Sequence, residues 1–219
     1  MQKLIDRSEG SCSKGGTEQQ RLSLNEAYDR LDRFSNLLAN ESIQEIEKNV
    51  SEMRVEAIEA IAAVRDILEC DEVLDVSLLG NVLICAYQAL DGFWGHSGYG
   101  LSVDDLERVY SLGMKRVTPG VISSITNSFV ACLYDHSAIG LLNYLRFLKF
   151  FVSEAVVTLE EPAYVDVIKN ALKTTSEDHP PTWTDFMHKQ IKRVELSEVE
   201  TTEAQGLIPQ ILETAGFME

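Results

Sequence analysis

The sequence predicts an all-α protein: a single compact multi-helix bundle of about eight to nine helices, opened by an N-terminal antiparallel αα-hairpin and without strands. Three observations predict it. Apolar residues recur at spacings of three and four through most of the chain. Helix-opening pairs recur in front of those runs: Ser23 with Glu26, Ser42 with Glu45, Ser102 with Asp105 and Ser197 with Glu200. No alternation of period two over four or more residues stands beside them.

The elements follow in order. Residues 1–20 are rich in Gly, Ser and Gln and read as a flexible N-terminal tail. Residues 21–219 form the all-helical domain, with a looser C-terminal subregion expected over 176–219. The first helix begins at Ser23, where the serine oxygen takes an orphan amide and Glu26 reaches back. Ala27, Leu31, Phe34 and Leu38 give it one buried stripe. Asn40 and Glu41 interrupt it, and Ser42 opens the second helix. Ile43, Ile46, Val50, Met53, Ala57, Ala60, Val64 and Ile67 lie on one face of that helix, which runs to about Cys70. Ile58, Ile61, Ala62 and Leu68 widen the face, so the second half is expected in the core. The short link makes these two helices an antiparallel hairpin.

A third helix from about Asp75 to Leu90 is apolar nearly all round, and such a helix is central. It ends in Asp91-Gly92-Phe93-Trp94-Gly95-His96-Ser97-Gly98-Tyr99-Gly100, the most loop-like stretch inside the domain. Ser102 opens a helix to about Leu112. Thr118-Pro119 opens another to about Tyr134, because proline suits a first helical turn. Ser137 opens the next, to about Val157. Its middle, Leu141 to Val152, reads as core or as half of an interface, and Arg146 and Lys149 interrupt it. Pro162 starts a helix ending near Lys173, and 174–181 form a polar linker. A helix over Trp183 to Val194 follows. Ser197 opens the C-terminal stretch, in which Pro209 and Gly216 bracket a last short helix.

Composition limits the function. The chain has 35 acids and 19 bases, a net charge of −16. Residues 41–75 hold eleven acids and three bases, and 194–219 hold six acids and no base. Such a surface repels phosphate backbones and anionic lipid, so direct nucleic acid binding is disfavoured. It suits a basic protein partner, or it simply maintains solubility. Cys12, Cys70, Cys85 and Cys132 form no Cys-x-x-Cys pair, which favours a reducing, cytoplasmic compartment. Val76 to Leu90 and Val117 to Tyr134 are uncharged, but the first is short and the second carries Pro119 and several hydroxyls; no membrane span is expected.

Catalytic chemistry finds no purchase. There is no Gly-x-Ser-x-Gly elbow, and His136-Ser137 reads as a helix cap. The Glu-x-x-His motif of carboxylate-bridged metal sites is absent, and Glu177-Asp178-His179 falls in a linker before two prolines. The glycines of 92–100 follow no strand and precede no phosphate-binding Lys-Ser/Thr. Neither cofactor nor metal is expected. Two features carry a partner-binding expectation. Phe93, Trp94, His96 and Tyr99 place aromatics on a glycine frame, either as anchors for a partner or folded back as a lid over the core. Glu45, Glu52, Glu56 and Glu59 give the second helix an acidic face. The expected function is therefore a non-enzymatic interaction or adaptor module. A homo-oligomeric structural subunit is the alternative. A small-molecule carrier or enzyme is the third reading, its pocket lined by Tyr87, Trp94, Tyr144 and Phe147.

Overall fold

The computed structural model describes residues 22–40, 42–70, 74–131, 138–158, 166, 169–170, 172 and 183–216. The tail 1–20, Cys12, Cys132, His136, Ser137, His179, the linker 174–181 and most of the helix expected after Pro162 lie outside them. The described residues form eight α-helices: α1 (Leu24–Asn40), α2 (Ile43–Glu69), α3 (Val76–Gln88), α4 (Val103–Gly113), α5 (Pro119–Ala131), α6 (Ala138–Ser153), α7 (Trp183–Arg193) and α8 (Glu198–Thr214). No strand occurs among them; Leu90 and Leu101 meet in an isolated bridge. None of these helices is long and apolar enough to cross a membrane.

The N-terminal hairpin forms as its caps dictate. Ser23 N–H donates to Glu26 Oε2 at 2.7 Å, and Glu26 N–H returns to Ser23 Oγ at 3.3 Å. Ser42 Oγ accepts from Glu45 N–H at 3.4 Å and starts α2. Ala27, Leu31, Phe34 and Leu38 turn inward from α1 onto α2 and α3. Across the hairpin, Arg30 meets Glu59 at 2.8 Å and Arg33 meets Glu56 at 3.3 Å.

The buried stripe of α2 is narrower than its spacing predicts. Ile46, Val50, Ala57, Ala60, Ile61, Val64 and Leu68 are buried, while Met53 and Ile67 are half-buried. Ile43 is 54% exposed because it is the first helical residue. Ile58 is 42% exposed because steps of 100° carry it round to the flank away from α1.

Helix α3 is central. Asp75 Oδ1 accepts from the N–H groups of Ser77 and Leu78, capping its start. It packs against α1, α4 and α5. A Cβ on Gly80 would stand 2.7 Å from the Val121 side chain, so the missing side chain sets the approach of α5. Tyr110 of α4 donates its hydroxyl to the Leu83 carbonyl. Tyr110 also lies edge-on to Phe147 of α6, with centroids 4.8 Å apart. Arg116 donates to the Leu68 carbonyl at 3.1 Å, closing the C-terminal end of α2.

Nine residues of α6 are buried, Gly140 through Val152. Asn143, Arg146, Lys149 and Phe150 form its less buried edge. The helix ends in a π-turn over Glu154–Thr158, which its sequence pattern did not signal. One expectation is corrected at the C-terminus. Pro209 does not begin a short helix; it lies inside α8, which runs unbroken to Thr214. Pro209 faces solvent, so the Gln205 carbonyl it leaves without an amide partner can be hydrated. The capping box at Ser197 forms as expected, and Gly216 ends the turn at φ +73°.

Candidate functional site

The segment between α3 and α4 is organised by one side chain. Asp91 Oδ1 accepts N–H bonds from Gly98, Tyr99 and Gly100 at 2.6, 3.1 and 3.1 Å. The Asp91 backbone N–H donates to Leu101 O, and Leu101 N–H donates to Ala89 O. From α6, Asn143 Nδ2 donates to Asp91 O at 2.8 Å. The loop ends are thereby tied to each other and to α6. The close approach requires glycine at 100, where a Cβ would stand 2.4 Å from Asp91 backbone atoms.

The aromatic residues expected on this frame separate. Phe93 is 4% exposed and buried edge-on against Tyr87, with centroids 5.0 Å apart, so it closes the core rather than facing a partner. Trp94 is half-buried edge-on to Phe93, and its buried Nε1 has no hydrogen-bond partner. His96 is half-buried. Tyr99 is half-buried and donates its hydroxyl to Glu47 Oε1 at 3.0 Å, which pins the loop to α2 and raises the phenol above its ordinary value. Tyr87, Tyr144 and Phe147, expected to line a core pocket, are buried in the bundle, with Tyr87 and Phe147 in ring contact at 5.2 Å.

The acidic candidates on α2 also divide. Glu56 and Glu59 are held by Arg33 and Arg30, although the Glu59 side chain keeps 59% exposure. Glu45 and Glu52 are exposed. Around them α2 presents Val55 at 56% and Ile58 at 42% exposure. With half-buried Ala62 they follow a helical spacing of three and four, making an apolar strip with Glu52, Glu59 and Asp66 along one edge and Arg54 and Arg65 along the other.

A cleft of about 630 Å³ opens where the second half of the loop, the first turns of α4, α2 and α6 converge. Its charged groups are Arg54, Asp91, Asp104, Glu107 and Arg146. Arg146 is already engaged by Glu203 of α8, its Nε and Nη2 donating at 2.7 and 2.9 Å. That pair raises the Arg146 pKa and lowers the Glu203 pKa. Burial, then the charges of Asp104 and Glu154, raise the Glu107 carboxyl. Arg54 Nε is buried and has no hydrogen-bond partner. Sequence reasoning marked the glycine loop but missed Arg54, Asp91, Glu107 and Asn143 as one site; an aspartate heading a glycine-rich stretch was the available signal.

Among the described residues no group of three His, Cys, Asp or Glu could hold a metal ion. No family model, curated protein or solved structure matches the chain.

Proposed function

We propose that the chain is a non-enzymatic interaction module whose outward face of α2 receives a basic, amphipathic segment of a partner protein. The observation that carries this reading is the strip of exposed Val55 and Ile58 with half-buried Ala62, which has Glu52, Glu59 and Asp66 along one edge. An apolar strip with acids along one edge matches a helix with an apolar ridge and Lys or Arg along the facing flank. The excess of eight negative charges over 41–75 accelerates encounter with such a segment and screens out acidic competitors.

The test is capture of a stoichiometric partner from source cytosol by the tagged full chain, washed at low and then high salt. Release by salt, and loss of capture by the double substitution V55D/I58D at unchanged melting temperature, support the reading. A bait that captures nothing stoichiometric at low salt, or a partner indifferent to V55D/I58D, overturns it.

A further inference from the structure

The cleft between the loop, α2, α4 and α6 contains charges of both signs in two different states. Asp91 is committed to three backbone amides, and Arg146 is committed to Glu203. The remaining charged groups form no ion pair with one another: the Arg54 guanidinium on one side, and the Asp104 and Glu107 carboxylates on α4. Arg54 lines the cleft, and its Nε is buried in the protein without an acceptor, so a ligand oxygen would meet the terminal nitrogens of the guanidinium. On α4, Asp104 and Glu107 are exposed and form no ion pair among the described residues.

We infer that this cleft binds a basic amino acid, its carboxylate on Arg54 and its cationic groups facing Asp104 and Glu107. The charge count selects the class. One free cation and two free carboxylates are matched by a ligand with one carboxylate and two cationic groups. A phosphate dianion is excluded by Asp91, Asp104 and Glu107 around the same space. A guanidinium suits a carboxylate because its donors match both oxygens. Size agrees, since a cleft of about 630 Å³ lies within the range of about 300–1,000 Å³ typical of small-molecule sites. A free amino acid presents both cationic groups beside its carboxylate; the C-terminal residue of a short peptide presents the carboxylate and the side-chain cation, its α-nitrogen being a neutral amide. Arg54 precedes Val55 and lies one turn from Ile58, so the cleft adjoins the outer face of α2; direct titration tests the cleft without a partner protein, whatever V55D/I58D does to capture.

The experiment is isothermal titration of the full chain with L-arginine, with agmatine, which lacks the carboxylate, and with the peptide Gly-Gly-Arg. Saturable one-to-one binding of L-arginine or Gly-Gly-Arg, at least tenfold tighter than agmatine, is expected. The tighter of the two names the source. Arg54→Gln is expected to bring the affinity down to that of agmatine while leaving agmatine itself unchanged. Glu107→Gln is expected to weaken all three. Arg54→Lys, which keeps the charge but not the fork, is expected to fall between. Circular dichroism checks that each variant folds; should R54Q unfold, the wild-type ratio of L-arginine to agmatine and the R54K titration decide. Absence of saturable binding by both carboxylate ligands, equal affinity for agmatine, or Arg54 variants without effect overturns the inference.

Discussion

Gly100 and Cys85 show how single atoms set the local rules. At Gly100 a methyl group would overlap the Asp91 backbone, and backbone cannot swing aside as a long side chain can. Gly100→Ala is therefore expected to cost at least about 2 kcal/mol of stability, read from the denaturation midpoint. Gly95 differs: nothing lies within 4 Å of its missing Cβ, and only its φ of +87° resists a side chain. Gly95→Ala is expected to cost about 1 kcal/mol. The Cys85 thiol is pushed up to about 12 by burial, with the charge of Asp32 and a 3.9 Å contact to its Oδ1 adding to the effect. The folded chain holds this proton where the unfolded chain would release it. The contribution is thus intact below about pH 9, the ordinary thiol value, and fades as pH rises toward about 12. The expected readout is that Cys85 resists alkylation at pH 8 until the chain is denatured. Labelling of Cys85 in the native chain at the rate of a free thiol would contradict it.

Helix starts were legible because capping is local. Ser23, Ser42, Ser102 and Ser197 each announce a helix from three residues away, and each does so in the structure. Pro209 misled for the converse reason. Its cost depends on whether the freed Gln205 carbonyl can reach water, and that depends on which face of α8 is covered. The exposed position makes Pro209 removable. Pro209→Ala is expected to raise stability by about 1–3 kcal/mol, because it restores one helical amide. Gly206→Ala, with open space around its Cβ, is expected to add about 0.5–1 kcal/mol. Parallel thermal melts of the two variants test both; a loss of stability in P209A would mean that the proline is needed for the packing of α8 on α6. The cleft was illegible at this scale. Arg54, Asp91, Glu107 and Asn143 come from four elements, and no spacing rule joins them.

The whole molecule carries a charge of −16, concentrated on α2 and the C-terminal stretch. The ion pairs among the described residues are exposed: Arg30–Glu59, Arg33–Glu56, Arg65–Asp66, Arg108–Glu69 and Arg146–Glu203 all keep substantial solvent contact. Each is worth about 0.2–1 kcal/mol and weakens with salt. Self-repulsion among the excess carboxylates weakens with salt as well, and the excess of 16 is larger than the five pairs among the described residues. The expected net result is a melting temperature that rises between low and high sodium chloride, measured by calorimetry. A fall would mean that the pairs across the α1–α2 hairpin outweigh the repulsion. The fold class could be anticipated at this scale, because the apolar period and the absence of alternation hold along the whole chain. The surface roles of the acids could not. Glu56 and Glu59 look like Glu52 in the sequence, yet arginines from α1 occupy them and not it.

The closure at Leu90 and Leu101 has a consequence for how the chain could be divided. The backbone leaves the bundle and returns at nearly the same point, held there by Asp91, Ala89 and Leu101. Around Gly95 nothing packs on the outer side of the turn. A break at Gly95 would sever the polypeptide without severing the molecule. The piece ending with α3 would keep its packing against α4 and α5 of the other. The protein is in that sense already two complementary fragments, the break falling beyond Phe93, which stays with the first fragment to close the core.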